Sequence, residues 1–145
     1  MVRARGGVPV IVSPMERRNF DAEGKVAPSL ADHAEASRQA AREEDAPFID
    51  LNSMSKRFYE ALGPEMSARA FAVAADGRQD NTHHNNYGAY ELAKCIVQGI
   101  RDNKLGIAKD IVDDFQGFDP LHPDPLEAFA LPASPIRPSQ QPLGD

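Results

Sequence analysis

A strand, a helix and a second strand are predicted within residues 8–51, and this pattern constrains the fold more than any other feature of the chain. Residues 8–13 form a short, β-branched apolar run before Pro14, which is typical of a strand buried on both faces. Residues 47–51 are a second such run, and the residues between them predict a helix from Ser29, its expected cap, to about Glu44. A crossover of this kind joins parallel strands and is right-handed almost without exception. The sequence therefore predicts an α/β fold with two parallel strands and flanking helices.

Two further helices and a loop are expected after the second strand. Asn52 or Ser53 is suited to cap a helix that ends at Gly63, and Pro64 is suited to the first turn of a shorter helix. Residues 76–86 are polar and rich in Asp, Gly and Asn, so we expect them to form a loop.

The strongest helical pattern begins at Asn85 or Asn86, either of which can cap it. Cys95, the sole cysteine, falls within this pattern and is expected to be a small core residue. The residues expected to face inward are Ala89, Leu92, Ala93, Ile96, Val97 and Ile100. A weaker helix is expected to follow, with an inward face of Leu105, Ala108, Ile111 and Val112.

Proline distribution divides the chain. Seven of its twelve prolines fall in residues 113–145, which excludes regular helix or central strand over most of that length. We therefore predict a domain over residues 1–112 and a proline-rich tail over 113–145. Apolar side chains in the first half of the tail predict that this half packs on the surface of the domain.

The composition excludes several classes of function. Sixteen Lys and Arg against 22 Asp and Glu give a formal net charge of -6 without a long basic stretch, so we expect no nucleic-acid partner. No apolar run approaches the ~18 residues that a membrane-spanning helix needs. The apolar stretch at residues 8–12 is too short for the hydrophobic part of a secretory signal, so we expect no export signal there.

Asp80 and His83 are the candidate catalytic residues. A carboxylate three residues before a histidine, in a loop just ahead of a helix, can bond one imidazole nitrogen and leave the other facing outward. The carboxylate then fixes the tautomer and stabilises the imidazolium that forms when the histidine takes a proton from a hydroxyl nucleophile. An Asp-x-x-His spacing is common, so the surrounding sequence is needed to judge whether this pair is catalytic.

Four motifs in order resemble the SGNH (GDSL-like) hydrolases, and most closely their rhamnogalacturonan acetylesterase branch. The similarity covers roughly residues 3–131 and rests on residues 6–20 (GGVPVIVSPMERRNF), 48–52 (FIDLN), 62–63 (LG) and 80–90 (DNTHHNNYGAY). The resemblance implies a three-layer α/β/α, flavodoxin-like fold, of which this chain would be the C-terminal portion. It also implies that His83 is the general base and Asp80 its partner in a serine hydrolase without a cofactor.

The chain lacks three blocks that this family has. A Gly-Asp-Ser block would supply the nucleophile, and a later Gly and Asn would complete the oxyanion hole, but none of the eight serines follows Gly-Asp. The dominant electrostatic term of acyl transfer is then missing as well. We therefore expect negligible esterase activity from the chain alone, which would be either a gene fragment or one chain of a split enzyme.

The resemblance implies an acetylated acidic polysaccharide or oligosaccharide as substrate, and an extracellular or periplasmic location.

Alternatives remain for the other polar residues. Arg17 and Arg18 could bind the carboxylate of an acidic sugar such as galacturonate, or form a solvated pair or salt bridges. His84 could line the substrate pocket or face solvent. A metal site built from Asp80, His83, His84 and His122 is a further, less favoured alternative.

The rival from a different functional class is a non-catalytic α/β module. With the remaining strands of the fold absent, the first strand would present an unpaired apolar edge, which favours self-association or binding of another chain.

Overall fold

The structure is a computed structural model that describes residues 2–74 and 76–131. Its strands and α-helices are β1 (Ile11–Val12), α1 (Ala31–Glu43), β2 (Phe48–Ile49), α2 (Leu51–Met66), β3 (Phe71–Val73), β4 (Gln79–His84) and α3 (Asn86–Asp102). Short 3-10 helices lie at Arg3–Arg5, Ser67–Ala70, Gly106–Asp110 and Leu126–Ala128. No helix in the described ranges has the length and apolar character needed to cross a membrane.

The parallel strand pair confirms the predicted α/β class. β1 and β2 pair in parallel, with Ile11 opposite Phe48 and Val12 opposite Ile49, and α1 forms the crossover between them. Both strands are shorter than predicted. β2 ends after Ile49 because Asp50 is already the N-cap of α2. Within the described residues β1 pairs only with β2, and Val12 on it is 40% exposed.

The helix boundaries differ from prediction at two caps. The Asp50 side chain accepts a hydrogen bond from the Ser53 N–H at 3.1 Å, so α2 is capped by Asp50 and not by Asn52 or Ser53. Leu30 stands at the N-cap of α1, because the Ser29 hydroxyl donates to Glu16 instead. α2 is interrupted at Gly63, where φ is 75° and ψ is 173°, as the predicted helix stop requires.

A β-hairpin replaces the predicted loop at residues 76–86. β3 and β4 pair antiparallel, with Phe71 opposite His84 and Val73 opposite Gln79. Residue 71 is therefore extended and does not continue the helix predicted from Pro64, which gives way to the 3-10 turn at Ser67–Ala70. β4 is polar and mostly exposed, so it has none of the apolar alternation by which a strand is predicted from sequence.

α2 and α3 enclose the hydrophobic core with β3. Its buried residues are Val26, Phe58, Tyr59, Ala70, Phe71, Tyr87 and Leu92. α3 buries Leu92 and Cys95 as predicted, whereas Ala89 and Ala93 are exposed. The helix also buries Glu91, which the apolar pattern did not predict.

Residues 113–131 lie against this body. Leu126 and Phe129 pack on the core cluster, and the Tyr87 hydroxyl donates to the Asp124 carbonyl at 2.8 Å. The weaker helix predicted before residue 113 is the 3-10 helix at Gly106–Asp110, and Val112 is 67% exposed instead of facing inward. The domain boundary at 113 stays a prediction, and the second half of the tail, residues 132–145, lies outside the described residues.

Candidate active site

Asp80 and His83 form a closed hydrogen-bonded pair on β4. Asp80 Oδ1 accepts hydrogen bonds from the backbone N–H groups of Thr82, at 2.7 Å, and His83, at 3.0 Å. Asp80 Oδ2 lies 2.8 Å from His83 Nδ1. The carboxylate therefore bonds both the backbone and the ring of the histidine, as an orienting residue would.

The electrostatics of this pair suit a general base. The His83 backbone N–H, the His83 ring and the Thr82 N–H together lower the pKa of the Asp80 carboxyl to about 2, so it is ionised at neutral pH. An ionised partner favours the tautomer with a proton on Nδ1, which leaves His83 Nε2 as a free acceptor. The His83 side chain is 79% exposed, so this nitrogen is open to an approaching hydroxyl group.

His84 packs on the core side of β4. Its ring centroid lies 4.2 Å from that of Phe71 and 5.7 Å from that of Tyr59, on which it stacks. His84 Nε2 is 2.9 Å from the Tyr59 hydroxyl oxygen. Burial lowers the pKa of His84 to about 4, so the ring is neutral at pH 7. These contacts explain His84 as a packing residue and do not place it with His83 on the exposed side.

We expect His84 to make the fold acid-sensitive in a defined window. Its folded pKa of about 4 lies below the ordinary 6.5, so the unfolded chain binds the proton first and stability falls as pH drops from 6.5 to 4. Allowing for residual solvent exposure, the loss is about 2 kcal/mol. Urea unfolding at several pH values measures it. A His84→Phe variant should lose this component of the slope and His33→Gln, on the exposed face of α1, should keep it; equal slopes in all three chains would contradict the assignment.

Arg17 and Arg18 have different environments despite being neighbours. Arg18 donates from Nε to Ser67 Oγ at 2.9 Å, from Nη1 to Asn81 Oδ1 at 2.7 Å, and from Nη2 to the Pro64 carbonyl. Arg17 is exposed and lines a cleft of about 350 Å³ whose wall includes Thr82. Both arginines therefore lie near the candidate site, but the Arg18 side chain bonds within the protein and only Arg17 of the two is exposed to the cleft.

Glu16 is a buried carboxylate that was not predicted from the residues around it. It is 2% exposed and accepts hydrogen bonds from the Ser29 hydroxyl, the Asn52 amide and the backbone N–H groups of Arg17 and Leu30. Burial raises the pKa of this carboxyl, but the hydrogen bonds outweigh that effect and the net pKa lies below its usual value. Glu16 thus fixes the segment before Arg18 to the starts of α1 and α2.

A second Asp-x-x-His pair lies at Asp119 and His122. Asp119 Oδ2 is 3.2 Å from His122 Nδ1, and Asp119 Oδ1 accepts from Arg57 at 3.1 Å. Asp119 and His122 have the same spacing in the sequence as Asp80 and His83. Because the chain contains two such pairs, the spacing alone does not identify which of them is catalytic. The second pair also places His122 with Asp119, not in the alternative metal set. Over residues 2–74 and 76–131, no three His, Cys, Asp or Glu side chains gather as metal ligands would.

Four serines bond groups other than His83; Ser13, Ser55 and Ser67 are buried, and Ser29 is exposed. Ser13 Oγ donates to Asp50, Ser29 Oγ to Glu16, Ser55 Oγ to the Asn52 carbonyl and Ser67 Oγ to the Pro64 carbonyl.

Comparison with known proteins gives several relatives. No protein-family model matches the chain. Rhamnogalacturonan acetylesterase RhgT of Bacillus subtilis (strain 168) is 37% identical over 118 residues, covering 76% of this chain and 51% of RhgT. Probable rhamnogalacturonan acetylesterase YesY of the same strain is 30% identical over 112 residues, covering 77% and 51%. A crystal structure of the Bacillus subtilis protein YxiM is 32% identical with a TM-score of 0.62, covering 72% of this chain and 28% of that one.

The chain spans about half the length of RhgT and YesY, and the match lies in the C-terminal portion of these relatives. The likeness to YxiM, itself described as an uncharacterized esterase, confirms the predicted α/β/α fold class. The family predicted from the four sequence motifs is confirmed at the same time. Over its matched residues, the chain is similar to the C-terminal portion of SGNH-type esterases, among them rhamnogalacturonan acetylesterases, and fits a partial SGNH hydrolase.

Proposed function

We propose that Asp80 and His83 are the orienter and general base of a serine esterase that removes acetyl groups from a rhamnogalacturonan-type polysaccharide. The observation that supports this best is the geometry of the pair. Asp80 Oδ2 lies 2.8 Å from His83 Nδ1 while the opposite edge of the ring faces solvent. The nucleophilic serine and the oxyanion donors would come from sequence outside this chain.

The chemistry assigned to this pair is proton transfer at His83 Nε2. His83 would accept the serine hydroxyl proton as that oxygen attacks the acetyl carbonyl carbon, and would return it to the departing sugar oxygen. Asp80, ionised at neutral pH, would stabilise the imidazolium between these two steps. Water activated by the same nitrogen would then cleave the acetyl-serine and release acetate.

A chimera tests this function. The chimera would consist of the first half of RhgT followed by the part of this chain that matches RhgT over 118 residues. We expect the folded chimera to hydrolyse an acetyl ester, and His83→Ala or Asp80→Asn to reduce kcat by on the order of 10³-fold or more. We expect negligible hydrolysis by the chain alone, because it has no Gly-Asp-Ser block.

The second Asp-x-x-His pair supplies matched controls. His122→Ala and Asp119→Asn change the same residue types at the same spacing, and should leave the chimera's kcat within about twofold. Equal losses in both pairs would contradict the assignment. Activity of the chain alone that disappears in His83→Ala would contradict the need for an outside serine.

We propose an acidic sugar as the neighbour of the acetylated residue, with Arg17 as the group that binds its carboxylate. Arg17 is exposed beside Thr82, and a guanidinium matches a carboxylate in shape and charge. His84 and Arg18 are not included, because their polar atoms bond within the protein. We place the whole enzyme outside the cytoplasm, where such polysaccharides lie.

A further inference from the structure

Residues 80–83 form a bulge in β4, opposite the middle of β3. The β3–β4 register is Phe71 with His84 at one end and Val73 with Gln79 at the other, so one residue of β3 faces four of β4. A bulge of this kind leaves its extra residues without ladder hydrogen bonds to the partner strand. Gln79 Nε2 donates to the carbonyls of Ala72 on β3, at 3.1 Å, and Asp80, at 3.0 Å, and this bridge connects only the start of the bulge to β3. The rest of the bulge needs a further anchor.

Arg18 contacts this bulge through both its backbone and its side chain. Its backbone N–H donates to the Asn81 carbonyl at 3.0 Å, and Nη1 donates to Asn81 Oδ1 at 2.7 Å. Asn81 is adjacent to Asp80, and its own backbone lies inside the ring that Asp80 closes on Thr82 and His83.

The other donors of Arg18 bind the end of α2. Nε donates to Ser67 Oγ at 2.9 Å and Nη2 donates to the Pro64 carbonyl. A planar guanidinium has its donors at fixed angles, so these bonds set its orientation toward Asn81. Lysine has the charge but not this fork, and cannot reach the same acceptors together.

Glu16 holds the backbone from which Arg18 projects. Its carboxylate accepts the Arg17 N–H at 2.9 Å, and its own N–H donates to Ser55 Oγ at 2.8 Å. The connection thus runs from a buried, hydrogen-bonded carboxylate through Arg18 to the bulge.

We propose that Arg18 is a positioning residue that holds the Asp80–His83 bulge in its catalytic shape by binding Asn81. That this shape serves catalysis rests on the function proposed above. That Arg18 holds the bulge in this shape does not depend on that function. The proposal gives the two arginines different roles: Arg18 positions the catalytic pair, whereas Arg17 faces the cleft.

The test is a carboxyl ¹³C NMR titration of Asp80 in the chain itself. In the wild-type chain the pKa of Asp80 should be about 2. In Arg18→Lys it should rise toward the ordinary 3.8, because Asn81 is then held only by the backbone N–H of residue 18 and the bulge keeps the Thr82 and His83 N–H groups on Asp80 Oδ1 less firmly. Arg17→Lys is the matched control and should keep the wild-type value.

Hydrogen exchange at neutral pH provides a second measurement that does not need acid. The Thr82 and His83 amides should exchange about tenfold faster in Arg18→Lys, with the Leu92 amide in α3 unchanged. If Arg18→Lys does not fold, Asn81→Ala removes only the exposed acceptor on the bulge and should give the same changes to a smaller degree.

Wild-type values of both quantities in a folded Arg18→Lys or Asn81→Ala chain would overturn the proposal. So would equal acceleration at Leu92, which would indicate general destabilisation. Neither measurement involves ester hydrolysis, so failure of the positioning claim is distinguishable from failure of the esterase assignment, which the chimera decides.

Discussion

Replacing Gly88 with alanine is expected to destabilise the chain by about 3 kcal/mol, because α3 approaches the backbone of residue 70 too closely for a side chain. A Cβ at position 88 would lie 2.1 Å from the Ala70 carbonyl oxygen and 2.8 Å from His84 Cδ2. The carbonyl cannot move freely, since it accepts the Asn85 N–H at 3.2 Å. Alanine favours an open helix by up to about 1 kcal/mol over glycine, so the overlap determines the sign.

Urea unfolding measures this loss, and Gly106→Ala is its control. A Cβ at residue 106 would meet no atom within 4 Å, so stability there should stay within about 0.5 kcal/mol of the wild type. A Gly88→Ala chain as stable as the Gly106→Ala chain would show that α3 can withdraw from Ala70 without cost. The loss should be accompanied by a change in the His84 ring signals, because this ring touches the same site.

Residues whose pattern reflects their burial were predictable from the sequence. The β-branched runs gave the parallel pair β1 and β2, and Asn85 begins α3 as its cap, with its side chain accepting the Gly88 N–H at 3.1 Å. Asp80 and His83 were identified by their spacing and by the family motif around them, and the structure brings the two side chains into contact.

Residues whose burial contradicts their chemistry were not predictable. β4 consists of polar residues, and only Asp80 and His84 on it are partly buried. The strand therefore lacks the alternation of apolar and polar residues from which a strand is predicted. Glu16 and Glu91 are buried carboxylates. Local sequence does not indicate the distant donors, Ser29 and Asn52, that make the burial of Glu16 possible. Lys94 is only three residues from Glu91, but such a pair on a helix is usually a surface pair, so the spacing does not indicate burial. Arg18 resembles Arg17 in sequence, and only the fold places Asn81 beside one of them.

Lys94→Met is expected to destabilise the chain by about 3 kcal/mol at pH 7, because it leaves a carboxylate buried without its cation. The Glu91 side chain has no exposed surface, and Lys94 Nζ lies 2.8 Å from Glu91 Oε1 and 2.7 Å from Asp124 Oδ2. The same ammonium lies 4.3 Å from the centroid of the Phe118 ring. Losing it therefore weakens the attachment of residues 118–124 to α3 as well as the pair itself.

The pH dependence of this loss identifies its cause. Burial already raises the pKa of Glu91 in the wild type, and removal of Lys94 should raise it further. A carboxyl whose folded pKa exceeds its unfolded value binds protons first in the folded state, so stability increases as pH falls through the folded pKa. Lys94→Met should therefore lose less stability at pH 5 than at pH 7, and Glu91→Leu with Lys94→Met should recover most of it.

Lys109→Met, on an exposed 3-10 helix, should stay within about 0.5 kcal/mol of wild type at both pH values. A loss in Lys94→Met that is equal at both pH values would assign the effect to the lost contacts of the ammonium with Asp124 and Phe118 instead.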